Sequence, residues 1–254
     1  MTFQVITSSK NNKIKELVKL QDAKYRRESA SFVVENLAII RDAQASGSLF
    51  SHLFVTGSFY QKNQTIIEAL LVGAENVECY LIDEKINQVY SELSTPSGIT
   101  ALYSLKSRPI TDHSVVYLAG ISDPGNLGTI MRSALAFGLE NLVLSKDCVD
   151  PYCAKTISAA KDAIFKINIL EDRDEAWLNN CSLPIYATSS HEGELLPKIK
   201  AAKKFCLILG SESQGVPKEL LTRATQKICI PISKKIESLN VAAAAAILFY
   251  ELQK

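Results

Sequence analysis

The stretch SDPGNLGTIMRSALAFG, residues 122–138, decides the reading of this chain. It follows VVYLAGI (115–121), an apolar run that reads as a buried strand. Pro124, Gly125, Asn126 and Gly128 make a tight turn with exposed backbone. Ile130, Met131, Ala134 and Leu135 then recur at helical spacing until Gly138. Arg132 stands one turn inside that helix. It is either a surface Arg with its stem along the helix or a cation reaching towards a phosphate.

Outward from this point, NLVLS (141–145), IFKINI (164–169), PIYATS (184–189), FCLILG (205–210) and KICIPI (227–232) read as further apolar strands between helix-length segments. Such strands belong to parallel sheets covered on both faces. Residues 106–254 are therefore expected to form a doubly wound α/β domain, with its ligand site in loops beyond the strands' carboxyl ends. Two more loops fit that place. Gly210-Ser-Glu-Ser-Gln-Gly215 follows FCLILG and is neither a Walker loop, a G-x-G-x-x-G nor a nucleophile elbow. Glu212 within it is a helix-start charge or a hydrogen-bonding partner. The segment IPISKKIESLN (230–240) leads into the Ala-rich VAAAAAILFY (241–250), with Ser238 or Asn240 as the helix cap. The alanines imply close approach by another helix or a second subunit.

Residues 1–105 read as a smaller α/β unit. Helices are expected at 11–22, 37–46 and 64–74, strands at 31–36, 49–56 and 77–82, and a turn with a strand at 94–104. Ser8 or Ser9 is expected to cap the first helix. The polar segment 103–114, with Pro109, is the expected linker. The chain carries a net charge of +1, yet residues 1–30 hold seven basic residues, Lys10, Lys13, Arg26 and Arg27 among them, against Glu16, Asp22 and Glu28. A second cluster, Lys198, Lys200, Lys203 and Lys204, has no acid within it. Two basic clusters in a near-neutral chain suit a polyanionic partner, because contacts to phosphates release counterions.

The longest apolar run, 241–250, is too short to span a bilayer, and the first residues lack a signal-peptide pattern. Six scattered Cys form no C-x-x-C, and the three His (52, 113, 191) are far apart. The expectation is free thiols in a reducing cytoplasm and no metal site.

The three loops together resemble the three motifs of the SpoU/TrmH class of SPOUT RNA methyltransferases. The matching residues are Asp123-Pro-Gly-Asn-Leu-Gly with Arg132, then Leu209-Gly210-x-Glu212-x-x-Gly215, then Ile230-Pro231 with Glu237-Ser-Leu-Asn-Val241. Ile6-Thr-Ser, Asn12-Lys-Ile-Lys, Phe32-Val-Val-Glu35 and Thr95-Pro-x-Gly98-Ile99 resemble the family's ribosomal-protein-like substrate-binding domain. The resemblance implies a parallel sheet with a deep trefoil knot, an exception to the rule against knots. It also implies a homodimer with the site near the subunit interface, S-adenosylmethionine as cofactor, and methylation of a ribose 2′-hydroxyl in rRNA or tRNA, rRNA ahead of tRNA. Carried over by position, Leu209, Gly210, Gly215, Ile230, Pro231 and Leu239 hold the cofactor. Asn126, Arg132, Glu212, Ser238 and Asn240 form the catalytic side, with Arg132 supplied either within the chain or across the dimer. The N-terminal cations Lys10, Lys13, Arg26 and Arg27 contact RNA.

The chain departs from the family's pattern at Asn36 and Lys234, where Gly is usual, and at Ser158-Ala-Ala160-Lys161-Asp162, where Arg-Ala-Ser-x-Gly is usual. The alternative reading is an RNA-binding paralogue without turnover. A nucleotide-dependent oxidoreductase would need a G-x-G-x-x-G fingerprint that the sequence lacks.

Overall fold

The computed structural model describes residues 2–74, 76–105, 108–190 and 192–253. Lys106 and Ser107 of the expected linker, and His191, lie outside the described residues. Two compact units result: Met1–Lys106 with Tyr152–Ser158, and Ser107–Pro151 with Ala159–Lys254. The segment 152–158, read from the sequence as part of the second domain, clusters with the first.

The first unit runs β1 (Gln4–Val5), α1 (Asn12–Lys19), α2 (Ala23–Ser29), β2 (Ser31–Val34), α3 (Leu37–Ala45), β3 (His52–Thr56), α4 (Gly57–Leu70), β4 (Glu78–Ile82), α5 (Glu84–Tyr90) and β5 (Ile99–Ser104). Its sheet order is β1-β4-β3-β5-β2, parallel across β1, β4 and β3 and antiparallel where β5 meets β3 and β2. Ile14 and Leu17 of α1 and Ile86 and Tyr90 of α5 bury their apolar faces with Phe54 and Tyr80 of the sheet. Three local readings are corrected. Asn11, not Ser8 or Ser9, caps α1 by accepting from the Lys13 amide at 2.8 Å. α4 begins at Gly57 rather than near Gln64, because Thr56 caps it through the Phe59 amide. α2 and α5 were not anticipated; both are short, with Asp caps at Asp22 and Asp83.

The second unit runs β6 (Val115–Ala119), α6 (Pro124–Ala136), β7 (Asn141–Ser145), a 3₁₀ turn (Lys161–Phe165), β8 (Asn168–Asp172), α8 (Ala176–Asn179), β9 (Ile185–Thr188), β10 (Glu194–Leu195), β11 (Cys206–Gly210), α9 (Lys218–Thr222), β12 (Gln226–Cys229) and α10 (Val241–Leu252); α7 (Ala154–Ala160) starts in the segment grouped with the first unit. Its seven strands, ordered β10-β12-β9-β11-β6-β7-β8, are all parallel. Val115, Tyr117, Val143, Ile185, Cys206 and Ile208 fill one buried cluster. The sequence places a strand at 164–169, but Lys161–Phe165 wind as a 3₁₀ turn and β8 starts at Asn168. Asn168 pairs there with Asn141 and donates its side-chain amide to the Asn141 Oδ1 at 3.0 Å. A short apolar run cannot be assigned to strand or turn by periodicity alone.

Candidate functional site

The parallel register brings the carboxyl ends of β6, β9, β11 and β12 to one edge of the second sheet, and the three motif loops leave from it. Each loop is shaped by local chemistry. At the first, Asp123 caps α6 by accepting from the Asn126 amide at 2.7 Å, with Pro124 at the first helical position. At the second, the Gly215 amide donates to the Ser211 carbonyl at 2.9 Å, folding the loop back on itself with Gly215 at φ +67°. This return presses Gly210 against the loop backbone. A Cβ on Gly210 would fall 1.9 Å from the Gly215 carbonyl carbon and 2.1 Å from the Val216 nitrogen, so only glycine fits. At the third, Asn240 rather than Ser238 caps α10, its Oδ1 accepting from the Ala242 and Ala243 amides at 2.9 and 3.3 Å.

A hydrogen-bonded chain then ties the loops together. The Asn240 Nδ2 donates to the Asn126 Oδ1 at 2.9 Å, and the Asn126 Nδ2 donates to the Glu212 Oε1. The cap fixes which end of the Asn240 amide faces the helix. That orientation sets Asn126, and Asn126 in turn presents its donor to Glu212. Residues more than a hundred positions apart thus share one polar line at the rim of a cavity of about 400 Å³.

Leu209, Gly210, Gly215, Ile230 and Leu239 line that cavity, as do Glu212 and Ser238. Pro231 is exposed, between the lining residues Ile230 and Ile232. Asn126 and Asn240 stand outside the wall but reach Glu212 through the polar line. Arg132 is exposed on α6 and makes no hydrogen bond or ion pair among the described residues. The sequence reading missed Thr188, which ends β9, and Ser189 and Ser190, which follow it; together they form another wall. Their signal was positional only, as the loop after an apolar strand.

The four cations assigned to RNA in the first unit are not brought together as equals. Lys10 lies exposed in a turn and Arg27 is exposed at the end of α2. Lys13 is half-buried; its Nζ lies 2.6 Å from the His52 Nε2 and 3.0 Å from the Glu78 carboxylate. Arg26 corrects the sequence reading outright: it is 4% exposed, and its guanidinium donates to the Leu20 carbonyl at 2.6 Å. It closes the turn between α1 and α2 and offers no surface to a polyanion. In the second unit, Lys203 and Lys204 precede β11 and so stand at the amino edge of the sheet, opposite the cavity; Lys204 pairs there with Asp112 at 2.5 Å.

A seven-stranded parallel sheet with a three-loop cavity at its carboxyl edge defines an α/β ligand-binding unit of the switch-point kind. The comparisons with known proteins narrow this. Residues 113–250 match the SpoU rRNA methylase family, and residues 11–101 match the MRM3-like substrate binding domain. The chain is 30% identical to the 23S rRNA (guanosine(2553)-2′-O)-methyltransferase RlmP of Bacillus subtilis over 98% of both chains. It is 24% identical to the human mitochondrial rRNA methyltransferase 3, over 89% of this chain and 68% of that one. Its fold matches the AdoMet-bound rRNA methyltransferase of Sinorhizobium meliloti with a TM-score of 0.84 and 26% identity, covering 99% of this chain and 97% of that one. The chain belongs to the SpoU rRNA methylase family. Among the described residues no helix is long and apolar enough to cross a membrane, and no group of His, Cys, Asp and Glu could hold a metal ion.

Proposed function

We propose that the chain is an S-adenosylmethionine-dependent methyltransferase acting on a ribose 2′-hydroxyl of rRNA. The observation that carries this is the convergence of the three motif loops on one cavity, joined by the Asn240–Asn126–Glu212 line. The residues present fit the cofactor. A cavity of about 400 Å³ is in the usual range for a small-molecule site. Ile228, Ile230 and Leu239 give it an apolar wall for a heterocycle, and Gly210 brings loop backbone where a side chain would stand. Leu209, Gly210, Gly215, Ile230 and Leu239 would hold the cofactor, which supplies an activated methyl group on its sulfonium.

What the chain contributes is placement, which can account for roughly 7–11 kcal/mol of a barrier. Glu212, held by Asn126, fixes the rim against which the ribose lies. Guanidinium stays protonated in proteins, so Arg132 binds the neighbouring phosphate and orients the hydroxyl instead of taking its proton. Ser238, lining the cavity, accepts the ribose proton on its hydroxyl oxygen as its own proton passes to water or phosphate.

Several finer readings go with this one. The first unit presents the RNA to the second. A homodimer is supported by α10, where Ile247 and Tyr250 are 42% and 55% exposed on one face and Phe137 of α6 meets the Tyr250 ring at 6.0 Å. A trefoil knot is supported by the chain end, which returns from β12, at the far side of β9 and β11, to pack α10 on α6 and β11. Free cysteines throughout support a reducing compartment, the cytoplasm.

The test is transfer of a labelled methyl from S-adenosylmethionine to 23S rRNA, read as an alkali-resistant dinucleotide. Arg132→Lys is expected to lower turnover about 100-fold, because an ammonium cannot copy the planar fork. Near-full turnover in that variant would discard the orienting role, and label outside ribose would discard the 2′-hydroxyl.

A further inference from the structure

The first unit has a second cavity, of about 330 Å³, between the start of α4, the start of α5 and the Thr95–Gly98 loop. The sequence singled out Thr95-Pro-x-Gly98, and nothing in the methyl-transfer chemistry uses it. The floor is built to a close tolerance. Gly98 stands at φ +82°, and a Cβ on it would fall 2.9 Å from the Phe59 Cβ. The Gly98 amide donates to the Asn87 Oδ1 at 3.1 Å. Asn87 is 2% exposed and lies beneath this floor, its side chain bonded to the Gly98 amide and facing the buried Tyr90, so it holds the turn in place.

The charges on the wall narrow the ligand. Lys62 is exposed and makes no ion pair among the described residues. Glu84 accepts from the Ser58 hydroxyl at 2.7 Å, and that bond holds its carboxyl below the usual glutamate value. The cavity thus shows one cation and one carboxylate, an acceptor that can only receive hydrogen bonds. Free phosphate or an acidic peptide would meet Glu84 unfavourably, and a metal ion would meet Lys62. A group carrying a phosphate at one end and hydroxyl or amino donors at the other satisfies both. Phe59, in the same wall, adds an aromatic surface, as proteins use for unstacked bases.

We propose that this cavity takes one unstacked nucleotide of the RNA substrate, with its phosphate at Lys62, its ribose hydroxyl or exocyclic amine on Glu84, and its base beside Phe59. The inference rests on the RNA methyltransferase reading and gives the first unit a recognition site beyond its exposed N-terminal cations.

The test is binding of a pool of 30-nucleotide fragments tiling 23S rRNA to the full chain, followed by fluorescence anisotropy, with methyl-transfer kinetics on the same preparations. Lys62→Ala is expected to weaken binding about tenfold and to flatten its salt dependence by about one ion. Lys85→Ala, on α5 but outside the cavity lining, is expected to change it less than about twofold. Glu84→Gln is the decisive variant. General electrostatics says that removing a negative charge tightens RNA binding, whereas this pocket requires it to weaken, about threefold to fivefold. Both pocket variants should raise the KM for RNA and leave kcat unchanged. Tighter or unchanged binding by Glu84→Gln overturns the proposal. So does micromolar binding of a free nucleoside monophosphate that the RNA pool cannot displace, since the site would then belong to a small molecule. Failure of the two readings is distinguishable. Wild-type methylation with unmoved KM in both variants sinks the pocket alone. The expected binding shifts without any methylation by the wild type sink the enzyme reading and leave the pocket standing.

Discussion

The second unit's three loops and the first unit's basic start both look like binding regions in the sequence, yet they behave differently once folded. The loops converge: Asn126, Glu212 and Asn240 come from three separate segments and meet in one polar line. The basic start disperses: Arg26 turns inwards to the Leu20 carbonyl, Lys13 is drawn to His52 and Glu78, and only Lys10 and Arg27 of the four remain open to solvent. The difference lies in what the residues specify. A capped turn or an obligatory glycine fixes backbone, and backbone fixes position. A count of positive charges fixes neither direction nor burial.

The largest expected effect falls at Gly210. Gly210→Ala would drive a Cβ into the Gly215 backbone, and backbone cannot move aside as a flexible side chain can. Overpacking of this kind costs about 1–3 kcal/mol or more. The expected outcome is a marked fall in melting temperature together with loss of cofactor binding, measured by thermal unfolding and calorimetry. An alanine variant with wild-type binding would mean that the loop is looser than its tight turn indicates.

Asn240→Ala comes next. It removes the α10 cap, worth about 1 kcal/mol, and frees Asn126 from its orienting partner. Turnover is expected to fall about 100-fold, since misplaced reacting groups cost on that order, while the melting temperature falls by only a few degrees. Equal small losses in both would reduce Asn240 to a helix cap.

Arg26 and Arg27 are neighbours with opposite fates, one buried and one exposed. Arg26→Ala leaves the Leu20 carbonyl without its donor and is expected to cost about 1–3 kcal/mol in urea unfolding. Arg27→Ala, on the surface, is expected to stay within about 0.5 kcal/mol and to weaken RNA binding modestly. Reversed outcomes, with Arg26→Ala neutral in stability and defective in RNA binding, would restore the charge-based reading.

The smallest expected effect concerns Glu35. Burial raises its carboxyl above the ordinary value of 4.5, although the Glu92 amide donates to it at 3.2 Å. A raised folded-state value favours the protonated form, so its stabilising contribution is complete below the ordinary value and is lost as pH rises through the raised one. Glu35→Gln, which has no charge to bury, should therefore gain on the wild type as pH climbs from acid to neutral. Melting curves from pH 4 to pH 8 would show a widening gap; a constant gap would mean that Glu35 titrates normally.

How much of this was legible beforehand follows the same division. The parallel strands of the second unit could be read because continuous apolar runs leave few alternatives for burial, and the motif loops because their turn chemistry is local. The Asn240–Asn126–Glu212 line was not legible as a line: each residue was a candidate, but their order depends on which strand ends share an edge. Thr188 to Ser190 were invisible for the same reason, since their place in the cavity wall comes from β9 lying between β11 and β12. Arg26 was misread because nothing near it in sequence announces the Leu20 carbonyl that its guanidinium satisfies. β8 was misplaced because the buried Ile164 and Phe165 suit a 3₁₀ turn as well as a strand.

The most direct measurement is a calorimetric titration of the purified full chain with S-adenosylmethionine, with S-adenosylhomocysteine as competitor and Asn240→Ala alongside. The expected result is saturable binding at a single site per chain, displaced by the competitor and weakened in the variant. Absence of binding at millimolar cofactor, or binding that Asn240→Ala leaves untouched, would contradict the claim that the three loops of the second unit form the methyl-donor site.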